Sequence, residues 1–274
     1  MKVAYLILAH RNPKQFKRMV SKLTQDIYVH VDKKCNKDEF YVKNKNIYFI
    51  NNRTSINWGG YTMLEATLNL IKEAKSNKKY DYYVLLSGDD YLIKNEIKFI
   101  NFLSENSNYS FLEYESFEQN SSDLMTRYNR YILFEKKSFI KKVLQKLMNI
   151  IISRRKMYNN MEALKGSQWW CLNTESIDYV LNYLQSNPKC LKYFKHTHIP
   201  DEMFFQTIIG NSHLKEKVIN DNLRYIRLEG FHPDILTQSD LNYLVNSKRK
   251  FFARKFDTNI DEKILDLLDR YIEQ

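Results

Sequence analysis

The sequence predicts an α/β fold built on a mainly parallel sheet with helices on both faces. Two observations lead there. Strand-length runs such as Val3–Ala9 and residues 82–86 are apolar throughout, as strands buried on both faces are, rather than alternating with polar residues. Between them lie segments whose apolar residues recur at helical spacing, so strand and helix alternate along the first half of the chain.

Taken in order, Val3–Ala9 is the first strand, and Phe16, Met19, Val20 and Leu23 mark a helix behind Pro13, a residue suited to a first helical turn. Residues 27–31 form a second strand ending on Asp32, and 47–50 a third. Gly59-Gly60 opens a long helix whose stripe holds Leu64, Leu68 and Ile71. The strand at 82–86 stops at Ser87-Gly88-Asp89-Asp90, and a helix over 95–103 leads to a strand over 110–114. Residues 136–156 stand apart. Ile140, Val143, Leu144, Leu147 and Ile151 recur at helical spacing among Lys136, Lys137, Lys141, Lys142, Lys146, Arg154, Arg155 and Lys156. This is a basic amphipathic helix, suited either to an acidic membrane surface or to packing on the domain with a solvated lysine face. A strand at 169–172, helices at 175–184 and 201–209, a strand at 224–228 and helices at 239–246 and 261–272 complete the chain. No repeat or low-complexity linker interrupts it, so residues 1–274 are expected to form one domain.

Composition narrows the function. The 274 residues, 43% hydrophobic, suffice for a substantial core. The net charge of +11 suggests an anionic partner: nucleic acid, a phosphorylated substrate or acidic lipid. Cys35, Cys171 and Cys190 are odd in number and lack metal-ligand spacing, the pattern of reduced thiols in a cytosolic chain. The apolar run at 3–9 is too short for a signal peptide, and no run approaches the roughly 18 to 20 apolar residues of a membrane span. The glycine-rich phosphate loops of dinucleotide-binding and P-loop enzymes are absent, as is the Gly-x-Ser-x-Gly elbow of hydrolases.

In parallel sheets ligands bind at the carboxyl ends of the strands, where His10, Asp32 and Asp89-Asp90 all fall. Behind Pro200, Asp201 and Glu202 occupy a helix start, which favours negative charge; such a carboxylate can accept a proton from an attacking hydroxyl, or simply cap the helix. Asp89-Asp90 lacks the alternate spacing of an Asp-x-Asp metal motif, since neighbouring side chains on an extended chain point opposite ways. Arg224 and Lys255 matter if a diphosphate leaves, because fixed cations can neutralise it. Trp169-Trp170 suits either a stacked sugar ring or a buried aromatic pair.

Several stretches follow one another in an order shared with a known family. They are Ala4-Tyr5-Leu6-Ile7-Leu8-Ala9-His10, Tyr28-Val29-His30-Val31-Asp32, Leu85-Leu86-Ser87-Gly88-Asp89-Asp90-Tyr91-Leu92-Ile93-Lys94, Gly166-Ser167-Gln168-Trp169-Trp170, Pro200-Asp201-Glu202 and Phe252-Ala253-Arg254-Lys255-Phe256-Asp257. From about residue 3 onward the chain resembles the core-2/I-branching β-1,6-N-acetylglucosaminyltransferases, a family that includes the protein xylosyltransferases. The resemblance implies a GT-A-like fold, a UDP-sugar donor and inversion by single displacement without an essential metal or other cofactor. It also implies a nucleotide-binding half at 1–115 and an acceptor and catalytic half at 116–274. By position, Glu202 is expected to be the general base. Lys255 and Arg224, or Arg227 in its place, are expected to hold the diphosphate. Ala9, His10, Asp32, Trp58, Gly59 and Asp90 are expected at the nucleotide, and Glu113, Arg127 (or Arg130), Trp169 and Trp170 at the acceptor.

Animal members carry a membrane anchor and several disulfides. This chain, beginning at its first strand, resembles instead a bacterial member. It is expected to act in the cytoplasm, peripherally at the inner membrane face, on a polysaccharide or lipid-linked glycan, with no nucleic-acid partner. N-acetylglucosamine is the first candidate sugar. The competing readings are a metal-dependent glycosyltransferase using Asp89 and Asp90, and a basic nucleotide- or nucleic-acid-binding α/β protein without catalysis.

Overall fold

A computed structural model describes residues 1–117, 122–133, 139–228, 230 and 232–273. Its strands are β1 (Val3–Ala9), β2 (Asp26–Val31), β3 (Ile47–Phe49), β4 (Tyr82–Ser87), β5 (Asp90–Leu92), β6 (Ser110–Leu112), β7 (Glu115–Ser116), β8 (Leu164–Lys165), β9 (Trp170–Asn173), β10 (Val218–Ile219), β11 (Arg224–Ile226) and β12 (Phe252–Arg254). Seven make one sheet in the order β10-β6-β9-β4-β1-β2-β3. Neighbours in it are parallel except at β9, which runs against both β4 and β6. Strands from both halves of the chain therefore build this sheet.

The expected α/β class is what the chain adopts, and β1 shows why its apolar run is continuous. Val3, Tyr5, Ile7 and Ala9 enter one core cluster, while Ala4, Leu6 and Leu8 enter the other. Successive side chains on a strand point to opposite faces, so a strand covered on both sides must be apolar at every position. The helices Pro13–Val20 and Lys263–Ile272 cover the first face. Tyr61–Asn77, Thr174–Ser186 and Phe204–Gly210 cover the second.

Three features depart from the sequence reading. The helix expected over 201–209 is split: a single turn, Pro200–Glu202, ends at Met203, and the helix begins at Phe204. Asp201 and Glu202 thus sit on a short turn behind a left-handed Ile199 (φ 51°), not in the first turn of a long helix. A small sheet, β11-β12-β5, was not anticipated in β5 and β12, since each strand has three residues and too little sequence for periodicity to register. The amphipathic helix spans Phe139–Ile151; residues 136–138 of the expected segment lie outside the described residues.

The buried His30 makes the fold pH-sensitive. Its Nε2 accepts from the Thr54 amide at 2.8 Å, Nδ1 has no partner, and burial pushes the ring from its ordinary 6.5 down to about 4. With the folded value depressed, the unfolded chain takes up the proton first as pH falls. Stability present above pH 6.5 is therefore lost between pH 6.5 and about 4, by about 3 kcal/mol for this group. Urea denaturation of wild type and His30→Gln, which keeps an acceptor for Thr54, should show the smaller loss in the variant.

Candidate active site

Strands β1, β2 and β4 end on one edge of the sheet, and a cavity of about 470 Å³ opens there. Ala9, His10, Asp32, Ser87 and Asp89 line it from these strand ends. Backbone bonds hold the ends together: Asp32 N donates to Ala9 O at 2.8 Å, and Gly88 N donates to Leu8 O at 2.9 Å. Arg53 ties down the loop after β2 by donating to the carbonyls of Val31, Asp32 and Cys35. Ile56, Trp58, Met63, Gln168, Trp169, His232 and Pro233 supply other walls. Trp58 is largely exposed and meets the His232 ring edge-on, 6.1 Å between centroids.

The cations at this cavity are Lys34, Arg254 and Lys255. Lys255 Nζ stands 3.5 Å from Asp89, whose carboxylate also receives the Arg11 Nε–H at 3.0 Å. Arg254 donates to Asp90 at 2.9 Å and lies over the Trp169 ring, 4.2 Å from its centroid. The pairing Arg254↔Asp90 in the antiparallel β12–β5 register creates that contact. Asp90 is fully buried and also accepts from the Ser87 amide at 3.0 Å. Burial pushes its carboxyl up, against the pull of Arg254 and Arg224. Asp90 therefore faces arginines rather than the cavity that the sequence reading assigned to it.

Arg224 corrects the sequence reading. It does not line the cavity. Its side chain is 1% exposed, donates to the carbonyls of Leu85 and Asn222, and lies 3.8 Å from Asp90. Burial lowers its guanidinium to about 10, so it remains charged at neutral pH as an internal counter-ion. Arg227 also lies outside the lining and pairs with Asp234 and Asp240. Arg254 occupies the place expected of either. The signal for it was present in the sequence, one residue before Lys255 in Phe-Ala-Arg-Lys-Phe-Asp.

Glu202 borders this cavity without lining it. Its carbonyl accepts from Gly166 N at 2.8 Å, and Gln206 donates to Ser167 O at 2.7 Å. The loop leading to the wall residues Gln168 and Trp169 is thus hung on the Glu202 segment. On the other side, Ile199 N donates to Gly59 O at 2.9 Å, next to Trp58. Gly166 is required here, since a Cβ would lie 1.8 Å from Glu113 O. The Glu202 carboxylate receives Arg127 Nη1 at 2.8 Å and is partly exposed. Its neighbour Asp201 is buried with Oδ1 unpartnered, and burial together with the Glu202 charge pushes its carboxyl up to about 7.

The remaining expected residues divide. Trp169 lines the cavity, whereas Trp170 is fully buried against Phe205, 4.9 Å between ring centroids, and cannot meet a ligand. Gly59 (φ +70°) supports the wall through its carbonyl. Glu113 accepts from Asn222 at 2.8 Å, and neither it nor Arg130 is in the lining. Lys34, Gln168 and His232 are lining residues that the sequence did not single out, because each sits in a loop without a distinguishing pattern. Asp89 and Asp90 have different cationic partners, and among the described residues no group of three His, Cys, Asp or Glu side chains gathers as metal ligands would.

Comparison with known proteins adds to this geometry. A family described as Branch, Core-2/I-Branching enzyme, matches residues 3–243. A xylosyltransferase of Ciona intestinalis is 25% identical, the match covering 98% of this chain and 34% of the relative. Xylosyltransferase 2 of Rattus norvegicus is 24% identical, covering 99% and 34%. The chain thus spans about a third of the length of the curated relatives it matches. Among solved structures, residues 1–349 of S. aureus TarS align at 11% identity with a TM-score of 0.43, covering 98% of this chain and 64% of that one.

Proposed function

The chain belongs to the Core-2/I-Branching enzyme family, and from that premise we propose that it is a GT-A-like inverting glycosyltransferase, moving a sugar from a UDP-sugar to a carbohydrate hydroxyl. One observation carries the reading: the strand-end cavity brings Ala9, His10 and Asp32 together with two adjacent cations, Arg254 and Lys255, beside the loop that Glu202 supports. Its volume of about 470 Å³ lies within the range of small-molecule sites.

In this reading the nucleotide sits against Ala9, His10 and Asp32, with Trp58 and His232 over it. The diphosphate meets Arg254 and Lys255. The acceptor oxygen attacks the anomeric carbon while the bond to the phosphate oxygen breaks on the opposite face. The hydroxyl proton passes to Glu202, and UDP departs with the bonding electron pair. Arg127 holds one carboxylate oxygen, Oε2, so Oε1 is assigned to the hydroxyl. The two cations stabilise the leaving diphosphate as fixed charges in a partly desolvated site. Asp90 is occupied by two arginines, which supports a reaction without metal ligation there. Transfer is expected to persist in excess EDTA; abolition reversed by Mn²⁺ would favour a metal-dependent enzyme using Asp89. N-acetylglucosamine is the first donor to test, with cytoplasmic action on a polysaccharide or lipid-linked glycan.

The direct test is thermal stabilisation by UDP and a series of UDP-sugars, followed by the anomeric configuration of the product. Inverted product from a stabilising donor is expected; retained configuration would overturn the mechanism. Lys255→Ala should lower turnover by about 100-fold or more, the scale of losing one preorganised charge partner in a transition state. Its melting temperature should change little, since Asp89 keeps Arg11.

A further inference from the structure

The helix Phe139–Ile151 lies on the protein the wrong way round for an ordinary surface helix. Such helices bury their apolar stripe and expose the polar one. Here Phe139, Ile140, Ile150 and Ile151 are 70–82% exposed, and Val143, Leu144 and Leu147 are exposed as well. At about 100° per residue these seven side chains occupy one continuous arc of roughly 140°. The opposite side carries Gln145 and Asn149, and it is the polar side that meets the body. Gln145 Nε2 donates to Tyr131 O at 2.6 Å, and its Oε1 accepts from Leu133 N at 2.9 Å.

The far end of the helix is anchored firmly. Arg155 donates to the carbonyls of Tyr128, Tyr193 and His196 and to Thr197 Oγ1, and it stacks 3.8 Å over the Tyr193 ring. The outward orientation is therefore built into the fold. Charge then says what covers the apolar face. No Asp or Glu occurs from residue 136 to 161. By helical angle Lys141 and Lys146 flank the two edges of the apolar arc, and Arg154 and Lys156 project just beyond the helix. A second copy of the chain would set lysines against lysines, which disfavours self-pairing.

We propose that this helix is a docking surface for an anionic lipid bilayer. It lies in the plane of the interface, its apolar residues among the acyl chains and its basic residues at the headgroups. Its 13 residues, about 20 Å long, suit such a position. No helix among the described residues is long and apolar enough to cross a membrane. The inference is independent of the proposed reaction, and its test needs no activity.

The full chain is sedimented with phosphatidylcholine vesicles with and without phosphatidylglycerol. Wild type is expected to bind the anionic vesicles and to bind the neutral ones far more weakly. The triple variant Ile140→Ser, Leu147→Ser, Ile150→Ser keeps the net charge and replaces only exposed side chains, so its melting temperature should be unchanged. Its partition into anionic vesicles should fall about 10-fold or more. Lys146→Glu with Lys156→Glu should weaken binding and its salt dependence. Failure of wild type to bind would overturn the proposal. So would a triple variant that binds like wild type, which would reduce the effect to the overall charge of +11. A vesicle-independent dimer that the triple variant dissolves would assign the face to a second copy instead.

Discussion

Glu202→Gln is expected to bind UDP-sugar as wild type does and to lose transfer by about 1,000-fold, within the usual range for removing a general base. The substitution is conservative in shape. The side-chain carbonyl of the new amide would still accept from Arg127, and the Glu202 backbone carbonyl that receives Gly166 is untouched. The cavity walls should therefore remain in place, and UDP-induced thermal stabilisation should be retained. Asp201 supplies the control. It is the adjacent carboxyl, pushed up to about 7 by burial and by the charge of Glu202, and its Oδ1 is unpartnered. If Asp201 were the base, Asp201→Asn would be the inactive variant and Glu202→Gln would stay active. A fully active Glu202→Gln enzyme would end the assignment.

Arg224→Ala is expected to act on the fold rather than on the donor. Its guanidinium donates to Leu85 O and Asn222 O and faces Asp90 inside the protein. Truncation strands two buried carbonyls and leaves the fully buried Asp90 with Arg254 as its counter-ion. Breaking a buried ion pair from one side costs about 3–5 kcal/mol. In a chain of this size that lowers the melting temperature by about 6 °C or more. Urea denaturation gives the free energy directly. The folded fraction should still respond to UDP, because Arg254 and Lys255 remain at the cavity. Unchanged stability with a lost UDP response would restore Arg224 to the diphosphate, as the sequence alone had suggested.

The two predictions mark where local pattern stops being informative. Continuous apolar runs announced β1, β2 and β4, and the residues closing those strands, Ala9, His10, Asp32 and Asp89, do line one cavity. Strand ends converge whenever parallel strands share an edge, so this part of the site was legible. The choice between neighbouring residues was not. Trp169 faces the cavity and Trp170 the core because adjacent strand residues point opposite ways, and only the pairing of β9 says which is which.

What the sequence by itself determined, then, was the α/β class, the order of its main strands and helices, and the strand ends that form the cavity. Each follows from interactions between residues close in the chain: apolar periodicity, a proline start, a glycine turn. Tertiary structure decided the charges and the faces. It turned Arg224 inward to Asp90 and put Arg254 at the cavity through the register of β12 against β5. It set Arg127 on Glu202, ran β9 against its neighbours, and held the Phe139–Ile151 helix by its polar side. Those outcomes depend on partners distant in sequence. The free energy of a buried charge or an exposed apolar face is set by what lies across from it, and a local pattern carries no record of that neighbour.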